Sequence, residues 1–176
     1  MSKRRGLIII GYPGIGKTTL ANSNRPYSNI IDLDSTLFNI DDNKIDDWSV
    51  IYCKVAVKLA SRGFIVLVSS HDEVQQELGY WAANRNDIEI VSITPHLFLK
   101  DQWISKLHDR YLKERSDHNK KAWERADKFY VTDIYRLARN NDFSHIYLPD
   151  ESYDLFRIIM SLRDIYCDDR RQGIVE

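Results

Sequence analysis

The chain has 176 residues, 43% of them hydrophobic, with 25 Lys and Arg against 26 Asp and Glu for a formal net charge of −1. That length and apolar content predict one domain, residues 1–176, with a core of its own. The near-neutral balance excludes a surface that holds nucleic acid by overall electrostatics, though not a local basic groove. No stretch approaches the roughly 18 apolar residues needed to cross a bilayer. Cys53 and Cys167 fit no metal spacing and are expected as apolar fillers in a reducing cytosol, so the reading is of a soluble, cytoplasmic protein. Lys3-Arg4-Arg5 before an apolar run imitates a secretory signal, but Gly11 and Pro13 interrupt that run after Leu7-Ile8-Ile9-Ile10, and it reads as a first strand.

Strand and helix signals then alternate. Residues 5–10 are the first strand, and a short helix begins at Thr18. Residues 29–33 form a second strand, closed by Asp32-Leu33-Asp34-Ser35. Residues 47–62 carry Val50, Ile51, Val55, Leu59 and Ala60 at helical spacing, with Gly63 as C-cap. Residues 64–68 are a continuous apolar run, suited to a strand buried on both faces. Residues 72–84 are helical, with Asp72 and Glu73 in the first turn. Residues 88–93 alternate as a strand that Pro95 ends. Residues 97–115 and 119–139 are two charged helices separated by Ser116-Asp117-His118. Residues 145–148 are a fifth strand, and residues 152–166 a closing helix capped by Ser152. Residues 168–173 read as a frayed tail. The expected fold is α/β: a five-stranded parallel sheet flanked by helices, with a helical lid hairpin at about residues 100–140 projecting from it.

Gly11-Tyr12-Pro13-Gly14-Ile15-Gly16-Lys17-Thr18 matches the phosphate-loop pattern G-x-x-x-x-G-K-S/T in full, between a strand and a helix start. Glycines let successive backbone N–H groups turn inward around phosphate oxygens, and the helix start adds its dipole. Nucleotide contacts are therefore expected from Gly11, Pro13, Gly14, Ile15, Gly16, Lys17, Thr18 and Thr19. Lys17 reaches the β and γ phosphates, and the Thr18 hydroxyl ligates Mg²⁺. The plain alternative is a Gly-rich turn.

Many triphosphatases carry a magnesium-binding aspartate at the end of the third strand. Here that strand ends in Ser69-Ser70-His71, and the carboxylates stand on strand two instead. Asp32 and Asp34 are two apart, so both can face the crevice at the carboxyl ends of the strands. Asp32 is the candidate for Mg²⁺, and Asp34 the candidate base for an acceptor hydroxyl. The alternative for Asp34-Ser35 is a cap on the following turn. Ser70 and His71 are weaker candidates for contact with phosphate or acceptor.

Nine basic residues face six acidic ones between Lys100 and Lys128. Pairs such as Asp109 with Lys113 and Asp117 with Lys121 fit a solvated helix face. Arg110 and Arg115, with Lys113 and Arg125 as lesser candidates, lead toward the break where a mobile lid would close over a transferring phosphoryl group. Trp81, Trp103, Trp123, Tyr111, Tyr130 and Tyr135 could stack bases of single-stranded DNA, but their helical spacing favours core packing.

Gly-Tyr-Pro-Gly-Ile-Gly-Lys-Thr-Thr-Leu, Ile-Asp-Leu-Asp-Ser, Val-Leu-Val-Ser-Ser-His and Asp-Arg-Tyr-Leu-Lys-Glu-Arg, in that order, resemble small P-loop kinases encoded by phages. The match suggested is the 5-hydroxymethyluracil DNA kinase family, and it covers residues 6–133. The resemblance implies a P-loop kinase-like fold and a DNA-modifying enzyme in the host cytosol. It implies transfer of the ATP γ-phosphoryl group, with Mg²⁺, to a hydroxymethyl pyrimidine in DNA, and Asp34 as the base. Shikimate kinase and polynucleotide kinases place an aspartate similarly. The resemblance also sets adenine beside Pro149-Asp150-Glu151. The helix after Asn119 and the closing strand and helix depart from the family pattern. Two alternatives stay open: a nucleoside monophosphate kinase, and a nucleotide-binding switch or sensor protein with little turnover.

Overall fold

The computed structural model describes residues 6–23, 29–40 and 43–167. The expectations for Arg5 and for the tail at 168–173 lie outside the described residues. Five parallel strands form the main sheet: β1 (Gly6–Gly11), β2 (Ile30–Asp32), β5 (Ile65–Val68), β6 (Ile88–Pro95) and β7 (Ser144–Leu148). Their order across the sheet is β2-β5-β1-β6-β7. A separate antiparallel pair, β3 (Asn39–Ile40) with β4 (Asn43–Lys44), follows a short 3₁₀ turn at Ser35–Phe38. Strands of two residues are too short to show any periodicity, which is why the sequence reading missed them.

The central strand explains itself. Leu7, Ile8, Ile9 and Ile10 are all 1% exposed or less, because β1 is flanked by β5 and β6 and covered on both faces. Crossovers β2→β5, β5→β6 and β6→β7 all advance in one direction across the sheet. A right-handed connection then places α2 (Trp48–Ala60), α3 (Asp72–Asn84) and α5 (Asp117–Ala138) on one face, and α1 (Lys17–Asn22), from the reverse crossover, on the other. Consistent with this, α2 packs on α3, β1 and β5, and α5 packs on β6 and β7. Gly63 ends α2 region with φ 89, as its C-cap reading requires, and its N–H bonds the Ala60 carbonyl.

Three details differ from the sequence reading. The closing helix, α6 (Leu155–Tyr166), is capped by Asp154, whose carboxylate accepts from the Arg157 amide at 3.2 Å, and not by Ser152. Ser152 is spent on Asp150, which takes both its N–H and its hydroxyl at 2.8 and 2.7 Å. The two charged helices are α4 (Lys100–Lys113) and α5, and Ser116 caps α5 by accepting from the Asn119 amide. They do not project freely. Ala126, Tyr130, Ile134 and Leu137 of α5 join the sheet core, and Trp103 and Leu107 of α4 are buried. Tyr111 of α4 stacks on Trp123 of α5, ring centroids 5.9 Å apart and 8° from parallel. Trp103 and Tyr130 therefore serve packing, while Tyr135 is 40% exposed. Among the described residues, no helix is long and apolar enough to cross a membrane.

Candidate functional site

All the strand ends that matter meet at one edge. β1, β2 and β5 run parallel, so the loop after Gly11, the Asp32–Asp34 turn and the Ser69-Ser70-His71 turn open into one cleft of about 1400 Å³. In the loop, Gly14 at φ 86 and Gly16 at φ 94 adopt the left-handed backbone that side-chain-bearing residues avoid. Left-handed turns of this kind let loop amides face a bound anion. Every expected loop residue, Gly11, Pro13, Gly14, Ile15, Gly16, Lys17, Thr18 and Thr19, lines it. The Lys17 ammonium donates to the Gly11 carbonyl at 2.7 Å. Burial pulls its pKa down to about 8, Asp32 opposes that shift, and Arg110 adds to it.

Asp32 ends β2, and Asp34 lies just beyond it as the cap of the following 3₁₀ turn. The Thr18 hydroxyl donates to Asp32 Oδ2 at 2.6 Å, so the two expected magnesium ligands are in contact. Mg²⁺ keeps several waters and is held by one or two carboxylates together with substrate phosphates. One carboxylate and one hydroxyl beside the loop fit that ion, although the described residues hold no cluster of three acidic, His or Cys ligands. Asp34 is exposed in the cleft. One oxygen accepts from the Thr36 amide at 2.8 Å, so it does cap the 3₁₀ turn. Capping uses Oδ1, and Asp34 lines the cleft, so the two readings of Asp34 are compatible.

Ser69, Ser70 and His71 also line the cleft, with Ser69 Oγ 2.9 Å from His71 Nδ1. Desolvation and the Lys44 ammonium hold the His71 imidazole below its ordinary pKa. The floor beneath is fixed by Tyr52, which is fully buried. Its hydroxyl donates to the Leu33 carbonyl at 2.7 Å and accepts from the Ser69 amide at 2.9 Å, tying the end of β2 to the end of β5. Tyr52→Phe leaves both backbone groups short of a partner. The expected cost is about 1–3 kcal/mol of stability, read as a lower urea midpoint at unchanged slope.

The basic candidates separate. Arg110 and Lys113 line the cleft, and Arg110 lies close enough to bear on Lys17. Arg115 does not line it. It stands beyond the end of α4, past Glu114, where the backbone leaves the helix at φ −123 and ψ 87, so it does not continue the Arg110 face. Arg125 lines the cleft but is held by Asp133 at 2.7 and 3.0 Å. Arg136 joins Asp133 at 3.0 Å and Asp72 at 2.7 Å, which binds α5 to the start of α3. Asp133 is 5% exposed while both arginines are partly solvated. Asp133→Ala is expected to cost about 2 kcal/mol, below the full value for a buried pair, as a drop in melting temperature. The i,i+4 ion pair found in this region is Lys120 with Glu124 at 3.8 Å, not the pairs expected from spacing.

On the side of β7, Glu151 lines the cleft, whereas Pro149 and Asp150 do not. Here the structure adds residues that sequence reasoning missed. Trp103 Nε1 donates to the Pro13 carbonyl at 2.9 Å, and the Tyr153 hydroxyl donates to the Ile15 carbonyl at 3.0 Å. Lys106 sits 4.1 Å from the Trp103 ring centre and 3.4 Å from the Tyr153 hydroxyl. No protein-family model matches the sequence, and no curated protein matches it.

Proposed function

We propose that the protein is an ATP- and Mg²⁺-dependent phosphotransferase that moves the γ-phosphoryl group to a hydroxyl of a nucleotide-type acceptor. The observation that carries this reading is a single cleft containing the loop, Lys17, the Thr18–Asp32 contact, Arg110 and Asp34. Loop amides and Lys17 bind the β and γ phosphates. Mg²⁺ beside Thr18 and Asp32 would neutralise phosphate charge. Asp34 accepts the proton of the acceptor hydroxyl as its oxygen bonds to the γ phosphorus and the bond to the β,γ-bridging oxygen breaks, releasing ADP. Arg110 stabilises charge on the transferring group. Strand order with the loop strand central, and the α4/α5 pair beside the loop, suit the P-loop kinase-like fold implied by the sequence resemblance.

A hydroxyl acceptor suits the described acceptor side better than a monophosphate. That side presents Asp34, Ser35, Ser69, Ser70 and His71, and its guanidinium, Arg125, is already paired with Asp133. The resemblance proposes a 5-hydroxymethyl pyrimidine in DNA as that acceptor. ADP release, followed with nucleosides, nucleoside monophosphates, plain DNA and hydroxymethyl-modified DNA, tests this. Acceleration by the modified DNA supports the reading. A slow ADP release that none of them changes favours a nucleotide sensor instead.

A further inference from the structure

In a planar trans peptide the carbonyl of one residue stands antiparallel to the amide of the next, so the loop fixes the Pro13 and Ile15 carbonyls opposite the Gly14 and Gly16 amides, and those carbonyls need donors of their own. Two donors come from remote parts of the chain. The Trp103 indole, wholly buried, takes the Pro13 carbonyl, and the Tyr153 hydroxyl takes the Ile15 carbonyl. The two rings stack on one another, centroids 6.2 Å apart and 23° from parallel, with the Lys106 ammonium over both. Contact continues at Gly14, where a Cβ would fall 2.9 Å from Leu107 Cδ2 and 3.3 Å from Trp103 Nε1. Helix α4 is thus seated against the loop, and Arg110 follows Trp103 by about two turns on the same face.

We propose that Trp103 and Tyr153 are positioning residues that hold the phosphate loop in its anion-accepting shape before any nucleotide arrives. Helix α4 is accordingly a fixed brace that carries Arg110, not a lid that swings shut. The proposal rests on the reading of residues 11–18 as a phosphate cradle. In its physical content it is pre-organisation: a loop that spends only part of its time in the competent shape binds more weakly by that fraction.

The test is calorimetric titration of inorganic tripolyphosphate into the wild-type chain, Trp103→Phe and Tyr153→Phe. Tyr153→Phe removes a hydroxyl only and keeps the ring stack, so it decides the matter if Trp103→Phe does not fold. Each variant is expected to bind about three- to tenfold more weakly, the worth of one hydrogen bond. Exchange of the loop amides with solvent, followed in the absence of ligand, is expected to quicken in both variants, a change that lost packing elsewhere would not confine to the loop. Wild-type affinity and unchanged loop exchange in Tyr153→Phe overturn the proposal. A wild-type chain that binds no tripolyphosphate overturns the phosphate-cradle reading itself.

Discussion

Lys17→Ala is expected to lower phosphotransfer by at least about 10²–10³-fold, the cost of removing one well-placed donor from developing charge. Folding should survive. Burial disfavours the Lys17 charge, so a small neutral side chain relieves a desolvation penalty, and the melting temperature is expected to hold or rise. A destabilised variant would instead assign Lys17 to the fold. Its pKa of about 8 adds a pH signature. Bound phosphates favour the ammonium form and raise that pKa. Nucleotide affinity is therefore full below about pH 8 and falls as the pH climbs past it, with a proton taken up on binding. Titrations in two buffers of different ionisation enthalpy at pH 8 would read that proton directly. Equal apparent enthalpies in the two buffers would contradict the assignment.

Asp34→Asn separates the cap that this side chain makes from the base role proposed for it. Asparagine caps as well as aspartate does, so the bond to the Thr36 amide and the 3₁₀ turn should persist. It cannot accept the acceptor proton. Turnover on a hydroxyl acceptor is expected to fall by about 10²–10⁴-fold, while ATP affinity and melting temperature stay near wild type. A monophosphate acceptor is already anionic and needs no base. Activity retained in Asp34→Asn would therefore move the reading to a nucleoside monophosphate kinase.

The phosphate-loop side of the cleft was legible in the sequence because its parts are contiguous. A loop motif reads in eight consecutive residues, and Asp32 and Asp34 do line one cleft, although β2 ends at Asp32 and it is the cap on the 3₁₀ turn, not strand alternation, that sets Asp34. Asp72 and Glu73 likewise marked the start of α3 correctly. What escaped depends on contacts between distant positions. Trp103 meets Pro13 across 90 residues, and Tyr153 meets Ile15 across 138. Helical spacing reported Trp103 as a packing residue, and it is one, but spacing is silent on where an indole N–H points. The same holds for Arg125. Its position in a basic run suggested phosphate binding, and only the fold reveals Asp133, eight residues on, as its bidentate partner. Arg115 lies off the cleft lining because α4 ends at Lys113 and the chain turns away at Glu114, a break that sequence proximity to Arg110 does not report. Similarly, the hairpin expected to project from the sheet has Trp103 and Leu107 buried beside the loop, contacts between distant positions that helical spacing does not report.

The central claim is transfer of a phosphoryl group to a hydroxyl, and ³¹P nuclear magnetic resonance observes it without intermediaries. ATP, Mg²⁺ and an oligonucleotide carrying 5-hydroxymethyl pyrimidine are incubated with the wild-type chain, with Lys17→Ala as control. A new phosphomonoester resonance is expected to grow in step with ADP, with little inorganic phosphate, and neither change is expected in the control. ADP formed with an equal amount of inorganic phosphate and no phosphomonoester would contradict it.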